Sequence, residues 1–330
     1  MKCNWAIEIA GSGASAPETV VRNADFEKRL DTSDEWIVQR TGIRERRIAQ
    51  PGESTLKFAT AASREALRDA GLQPTDIDLI INATITPEHT LPSTACELQA
   101  VLGCRTIPAF DLVAACSGYV FALVTAAQYI ECGVARNVLV IGAETMTRMI
   151  DMEDRACAVL FGDAAAATVV RRANRPGPEI LAARLGVDGS RANLLWVPAG
   201  GAAEPASIRT LNERLHYVRM KGREVYKFAV LQMQQVMEDT LADAGVPLSE
   251  LALLVPHQSN LRIIESACEK LGLPAERVVI NIDRYANTSA ASVPLALHEA
   301  RRKGRIKLGD LVLLVAFGAG LTWGSVLMRF

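Results

Sequence analysis

Residues 66–84, ALRDAGLQPTDIDLIINAT, recur in outline as residues 240–258, TLADAGVPLSELALLVPHQ. Each stretch reads as a helix end, an Ala-Gly stop, a short polar turn and a buried strand. A Gly just past the last helical residue is the usual C-cap, and a short apolar run bounded by turn residues suits a strand. Both then lead into a helix carrying Ala-Cys-Glu, at Ala95 and at Ala267. Further on, AFDLVAACSG from Ala109 lies over NIDRYANTSA from Asn281, and NVLVIGAET from Asn137 over LVLLVAFGAG from Leu311. Phe161-Gly162-Asp163 sits over Trp323-Gly324-Ser325. Any two helix–strand units look somewhat alike, but matched blocks in one order indicate an internal repeat. The chain therefore reads as two similar α/β halves, 1–172 and 173–330, related by a pseudo-two-fold axis.

The register carries a functional expectation. It sets Cys116 one position from the counterpart of Asn287, and His257 at the exit of the strand equivalent to residues 79–83. Ligands of α/β sheets gather beyond the carboxyl ends of strands. If the halves face each other, Cys116, His257 and Asn287 share one cavity although they are distant in sequence.

Composition narrows the function classes. The 330 residues are 49% hydrophobic and 22% charged with a formal net charge of −1, so no global charge favours nucleic acid or an anionic membrane. The seven cysteines (Cys3, Cys96, Cys104, Cys116, Cys132, Cys157 and Cys268) form no C-x-x-C pair, which argues for a reducing compartment and against a metal site. The first residues, MKCNWAIEIAGSG, read as a strand and turn rather than a signal peptide. The most apolar helix, over 117–130, is shorter than the ~20 residues that span a bilayer. A cytoplasmic protein is expected.

Cys116 follows a strand-like run, 109–115, and precedes the small-residue opening Ser117-Gly118, which places its sulfur at a helix N-terminus. A free thiol of pKa ~8.5 is about 3% ionised at pH 7. A helix terminus contributes up to ~2 kcal/mol toward the anion, which predicts a half-ionised nucleophile. Taken alone, a cysteine is more often a buried structural residue. His257, in Val255-Pro256-His257-Gln258, leaves a buried strand, whereas His89, His216 and His298 fall in loop-like or exposed helical settings. Asn287 lies in a turn where an N-cap is the plain alternative. The glycine-rich run Phe317-Gly318-Ala319-Gly320 permits close backbone approach to a ligand, or simply a tight hairpin. Gly11-Ser12-Gly13 is discounted as a dinucleotide fingerprint because a Pro-Glu turn follows where a helix is required.

With these residues in view, the chain resembles the β-ketoacyl-acyl carrier protein synthase III family of thiolase-fold enzymes. The motifs are DTSDEWIVQRTGIRERR from Asp31, AACSG around Cys116, VPHQSNLRI from Val255, YANTSAAS from Tyr285 and AFGAGLTWGS from Ala316. The resemblance implies two βαβαβαββ halves in a five-layered αβαβα core and a homodimer. It implies that Cys116 is acylated and that His257 and Asn287 bind the malonyl thioester carbonyl, with backbone N–H groups of Cys116 and Ala319 as the oxyanion hole. Trp36 and Arg155 match residues flanking the coenzyme A adenine, and Arg40, Asn260 and Arg262 match the pantetheine entry. Leu91 matches the blind end of the primer pocket, reached across the dimer.

The implied reaction joins an acyl-coenzyme A primer to malonyl-acyl carrier protein with loss of carbon dioxide, initiating fatty acid synthesis. No resident cofactor is expected, since coenzyme A thioester and phosphopantetheine arrive as substrates. Arg262, Lys221, Arg223, Lys227 and Lys270 are candidates for docking the acidic carrier protein. Ala319 stands where the family has glycine, Leu91 where some members have Phe, and FGDAAAA from Phe161 is glycine-poor. These departures bear on chain length rather than chemistry. A papain-like Cys-His-Asn protease leaves the repeat unexplained and lacks that family's cysteine signature. An inactive thiolase-like scaffold is countered by the intact triad, and a condensing enzyme or acyltransferase of secondary metabolism stays open as the alternative.

Overall fold

The computed structural model describes residues 2–330. Ten strands build two sheets: β1 (Lys2–Trp5), β2 (Ile7–Ser15), β3 (Leu79–Ala83), β4 (Ala109–Leu112), β5 (Asn137–Thr145), β6 (Asp163–Arg172), β7 (Glu179–Val187), β8 (Leu251–Pro256), β9 (Leu311–Gly318) and β10 (Thr322–Arg329). Seven main helices cover them: α1 (Asp34–Thr41), α2 (Thr55–Ala70), α3 (Thr94–Leu102), α4 (Gly118–Glu131), α5 (Gly222–Ala244), α6 (Leu261–Leu271) and α7 (Ser292–Arg302).

One sheet has the order β2-β6-β5-β3-β4, the other β1-β7-β10-β9-β8. In each, a parallel pair (β3 with β5, β8 with β9) adjoins an antiparallel pair (β5 with β6, β9 with β10). The place of β4 is taken in the second sheet by a single parallel bridge between Leu254 and Val278. The two sheets are thus copies of one topology, with β1 added to the second although it belongs to the first half, 1–172, in sequence.

Helices α4 and α7 lie between the sheets. α4 is apolar nearly all round, as a helix buried on every side must be, and Tyr119, Leu123 and Ile130 pack with Val293, Leu297 and strand residues of both sheets. Full burial of each such side chain contributes roughly 1.5–3 kcal/mol. α2 and α3 cover the outer face of the first sheet, and α5 and α6 that of the second. The five layers α, β, α, β, α follow.

Small residues allow this closeness. On β6, Ala165 and Ala167 face α2 while Ala164 and Ala166 face α7, which accounts for FGDAAAA. A Cβ on Gly13 would fall 2.3 Å from the Ala62 carbonyl oxygen of α2, so the Gly-Ser-Gly run lets a helix rest on β2. Among the described residues, no helix is long and apolar enough to cross a membrane.

The repeat needs one correction. α4 and α7 begin 174 residues apart, and the preceding turns hold Ala115 and Ser289, the same distance apart, at φ 48° and 50°. The block from Ala109 therefore aligns with Asp283 rather than Asn281, and Cys116 is the counterpart of Ala290. The apolar run alone does not locate these left-handed residues, which set the phase of the turn.

Candidate active site

Cys116 sits in the turn 115–117 between β4 and α4, buried, with Ala115 in a left-handed conformation just before it. β4 ends at Leu112, earlier than the run to Ala115 suggests, because the chain must bend to deliver Cys116 to the start of α4. The end of β9 presses on it: a Cβ at Gly318 would lie 2.7 Å from the Cys116 nitrogen, so glycine is required there.

His257 follows the last residue of β8 and extends the pairing with β9 through its N–H to the Val315 carbonyl, 2.8 Å. Its Nδ1 lies 2.5 Å from the Ser292 hydroxyl, and its ring meets Phe317 edge-on with centroids 5.5 Å apart. Burial holds this imidazole neutral, with its pKa pushed down to about 3. Asn287 is held by its backbone, with its N–H on the Leu160 carbonyl and its carbonyl accepting from Gly162. Its side-chain oxygen accepts from the Ser289 N–H at 2.8 Å.

These three residues, far apart in sequence, line one cavity of about 180 Å³ together with Phe161, Tyr226 and Phe317. A second, apolar cavity of about 420 Å³ opens from Cys116 toward Ile85, Val113, Met149 and Trp196. Phe161 and Leu195 border both cavities. Cys116 is therefore reached from two sides, one bearing polar donors and one apolar.

The thiol is not half-ionised. Burial pushes Cys116 up to about 12, and the charge of Glu144 adds to the rise, while a hydrogen bond from Ser289 opposes it. For a group this deep, desolvation outweighs the pull of a helix end. His298 also differs from expectation: it is buried, with its Nδ1 3.1 Å from the Ser12 hydroxyl.

At the cavity mouth, Asn260 caps α6 by accepting from the Arg262 N–H and donates to the Arg40 carbonyl, 3.0 Å each, tying the end of α1 to the start of α6. Arg262 lies over the ring of Tyr226, 5.7 Å to its centroid. Arg155 stacks on Trp36 at 5.1 Å, held by the Asp31 carbonyl. A planar ring inserted between them needs about 7 Å, two van der Waals contacts, so the guanidinium must move to admit one. Ala319 borders the apolar cavity in the turn between β9 and β10, and its carbonyl accepts from the Thr322 hydroxyl. Leu91 is 87% exposed and borders neither cavity of its own chain.

Sequence reasoning missed Ser289, Ser292 and Glu144. Both serines lie inside the YANTSAAS run, two and five residues after Asn287. Glu144 is the penultimate residue of β5, after the apolar run 138–143, a weak signal for a buried charge.

The chain is similar to known proteins over nearly its whole length. Residues 110–189 match the family model described as 3-oxoacyl-[acyl-carrier-protein (ACP)] synthase III, and residues 241–330 match its C-terminal counterpart. A β-ketoacyl-[acyl-carrier-protein] synthase III of Caldanaerobacter subterraneus subsp. tengcongensis is 50% identical over 98% of both chains. One from Symbiobacterium thermophilum is 49% identical, again over 98% of each. The crystal structure of the 3-oxoacyl-[acyl-carrier-protein] synthase III of Aquifex aeolicus superposes with a TM-score of 0.91 at 49% identity, covering 98% of this chain and all of that one.

Proposed function

The chain belongs to the β-ketoacyl-[acyl-carrier-protein] synthase III family, and we propose that Cys116, His257 and Asn287 are the groups with which it carries out that family's condensation. The enzyme is an acyltransferase that joins an acyl-coenzyme A primer to malonyl-acyl carrier protein, initiating fatty acid biosynthesis. The observation that carries the assignment of residues is their convergence on one cavity.

Cys116 accepts the acyl group, a sulfur being both a good nucleophile and a good leaving group. Its acyl chain lodges in the apolar cavity, which opens from the same sulfur. Malonyl thioester then enters from the polar side, where neutral His257 and the Asn287 amide donate to its carbonyl. As carbon dioxide leaves, these two donors stabilise the enolate without a labile proton to quench it. Each such donor typically contributes ~3–4 kcal/mol to the transition state. The carbanion attacks the acyl-cysteine and releases the 3-oxoacyl product.

A homodimer fits the outer edge of the first sheet. β4 pairs only with β3 among the described strands, and Val113, which follows it, is 75% exposed. Val113 also borders the apolar cavity, so that cavity reaches a surface which a second subunit would cover. For the acceptor, Lys221 and Arg223 flank Gly222 of the cavity lining, Lys227 is exposed one turn further along α5, and Lys270 is exposed at the far end of α6; none of these is in an ion pair among the described residues. A cytoplasmic location rests on the scattered cysteines alone.

The test is mass spectrometry of the intact protein after exposure to acetyl-coenzyme A. One acyl mass at Cys116, lost in Cys116→Ser, is expected; label chiefly on another cysteine overturns the assignment.

A further inference from the structure

Gln258 follows His257 at the exit of β8, is 1% exposed, and the condensation described above gives it no task. Its amide makes as many hydrogen bonds as a glutamine side chain can. Nε2 donates to the carbonyls of Pro256, at 2.9 Å, and Val279, at 3.0 Å. Oε1 accepts from the N–H groups of Asn281, at 3.0 Å, and Ile282, at 3.1 Å. Two carbonyls on one side of the amide and two N–H groups on the other permit one orientation of it.

This amide stands where two chains part. β8 is flanked on one side by β9 and on the other by the short parallel contact of Leu254 with Val278, where the Val279 N–H donates to the Leu254 carbonyl. Beyond that point no backbone hydrogen bond joins the two chains among the described residues. One chain continues into His257, whose N–H stays on the Val315 carbonyl of β9. The other passes through a single helical turn, Ile282–Tyr285, and reaches Asn287. The Gln258 side chain fills the fork between them, taking up the first N–H groups of that turn, which have no partner within a helix.

We propose that Gln258 is a positioning residue for the condensation, its buried amide setting the spacing between His257 and Asn287. The proposal rests on the reading that these two side chains donate to the malonyl thioester carbonyl. Two donors that share one oxygen must each lie about 3 Å from it, and a misplacement of about 1 Å can cost ~10²-fold in rate. The stretch bearing Asn287 is tied to the His257 segment at two places. Before Asn287 the tie is the Gln258 amide, at Asn281 and Ile282; after it, Ser292 meets His257 Nδ1 and the Gln258 N–H. Loss of the first tie leaves the approach to Asn287 held to the His257 segment from one end only.

Other tasks for Gln258 are excluded by its setting. Its side chain lines neither cavity and is sealed from solvent, so it meets neither coenzyme A nor a carrier protein. An amide carries no proton to exchange near neutral pH, and its four hydrogen-bonding positions are filled by backbone groups. It acts through His257 and Asn287.

The test compares Gln258→Glu and Gln258→Asn with wild type in the two half-reactions, at a temperature where thermal melts show each variant folded. A carboxylate of the same length keeps both acceptor bonds but loses both donors and faces the Pro256 and Val279 carbonyls with a negative charge. Acyl transfer from acetyl-coenzyme A to Cys116 should stay within threefold of wild type. The kcat for carbon dioxide release from malonyl-acyl carrier protein should fall about 10–10²-fold, with KM changed less than threefold. Gln258→Asn keeps the amide but is one methylene too short for its partners; it should show the same split and decides the matter if Gln258→Glu does not fold. A structural role alone lowers the melting midpoint and leaves both half-reactions unchanged, or lowers them by one common factor. Either result in a folded variant overturns the proposal, as does a rise in KM with kcat unmoved. Failure of Asn287→Ala to separate the two half-reactions removes the donor reading itself, a distinct result.

Discussion

The Ser289 N–H donates to the side-chain oxygen of Asn287 at 2.8 Å, and this one bond orients the amide. With the oxygen turned back toward the chain, the NH₂ group is directed to the cavity as a donor, the role an enolate oxygen needs. Asn287→Asp keeps the shape and the acceptor for Ser289 but replaces the donor by an anion. Decarboxylation of the malonyl thioester should fall about 10²–10³-fold while acyl transfer to Cys116 changes far less. Assaying the half-reactions separately checks this, and equal losses in both contradict the role.

His257 and Ser292 make a second such pair. The role given to His257 requires its hydrogen on Nε2, with Nδ1 accepting from the Ser292 hydroxyl, whose oxygen also accepts from the Gln258 N–H. Because the folded-state pKa of His257 lies far below the ordinary 6.5, the unfolded chain binds more protons between about 3 and 6.5. Stability therefore falls as pH drops through that window. The expected loss from this group at pH 5.5 is on the order of 1–2 kcal/mol relative to pH 8. Denaturant titrations at both values should show it, and in His257→Gln that part of the slope should disappear.

Why the sequence yields some of this and not the rest follows from particular residues. Gly71 and Gly245 end α2 and α5 in left-handed caps, and the strands after them are apolar throughout, so the repeat is written in residue types. Cys116, His257 and Asn287 were placed by that repeat together with family motifs. The two-residue slip in the block from Ala109 arose because Ala115 and Ser289, both with positive φ, are not residue types that announce a turn. The thiol was misjudged because its pKa depends on depth, which no local pattern reports. Glu144 escaped notice because a carboxylate at a strand end ordinarily faces water, and the hydroxyls of Thr84, Thr86 and Ser289 that satisfy it come from separate segments.

Acceptor docking is testable at Arg262, which is exposed at the start of α6 and lies over Tyr226 of the cavity wall. Arg262→Glu should raise the KM for malonyl-acyl carrier protein about tenfold or more at low salt. The difference between variant and wild type should shrink by 0.5 M salt, where screening shortens the reach of exposed charges. An unchanged KM at low salt places docking elsewhere.

The last expectation joins assembly to specificity. Leu91 is 87% exposed and outside the lining of its own cavity, while the apolar cavity beside Cys116 reaches the surface at Val113, next to the free edge of β4. Two exposed apolar features of this kind are explained together if the Leu91 of a second copy closes the pocket at Val113. A leucine closes it less rigidly than an aromatic ring, so acetyl and short branched primers should both be accepted. One methylene changes binding by only ~1–3 kcal/mol, so the preference should be graded rather than absolute. Leu91→Phe should then narrow the range toward acetyl, and Leu91→Ala should shift it to longer chains, each read as kcat/KM across a primer series. Light scattering should show a dimer, and mixing Leu91→Phe subunits with inactive Cys116→Ser subunits separates the routes. In such heterodimers the only active pocket faces the wild-type Leu91, so the broad primer range should return; a range that stays narrow means that Leu91 acts within its own chain.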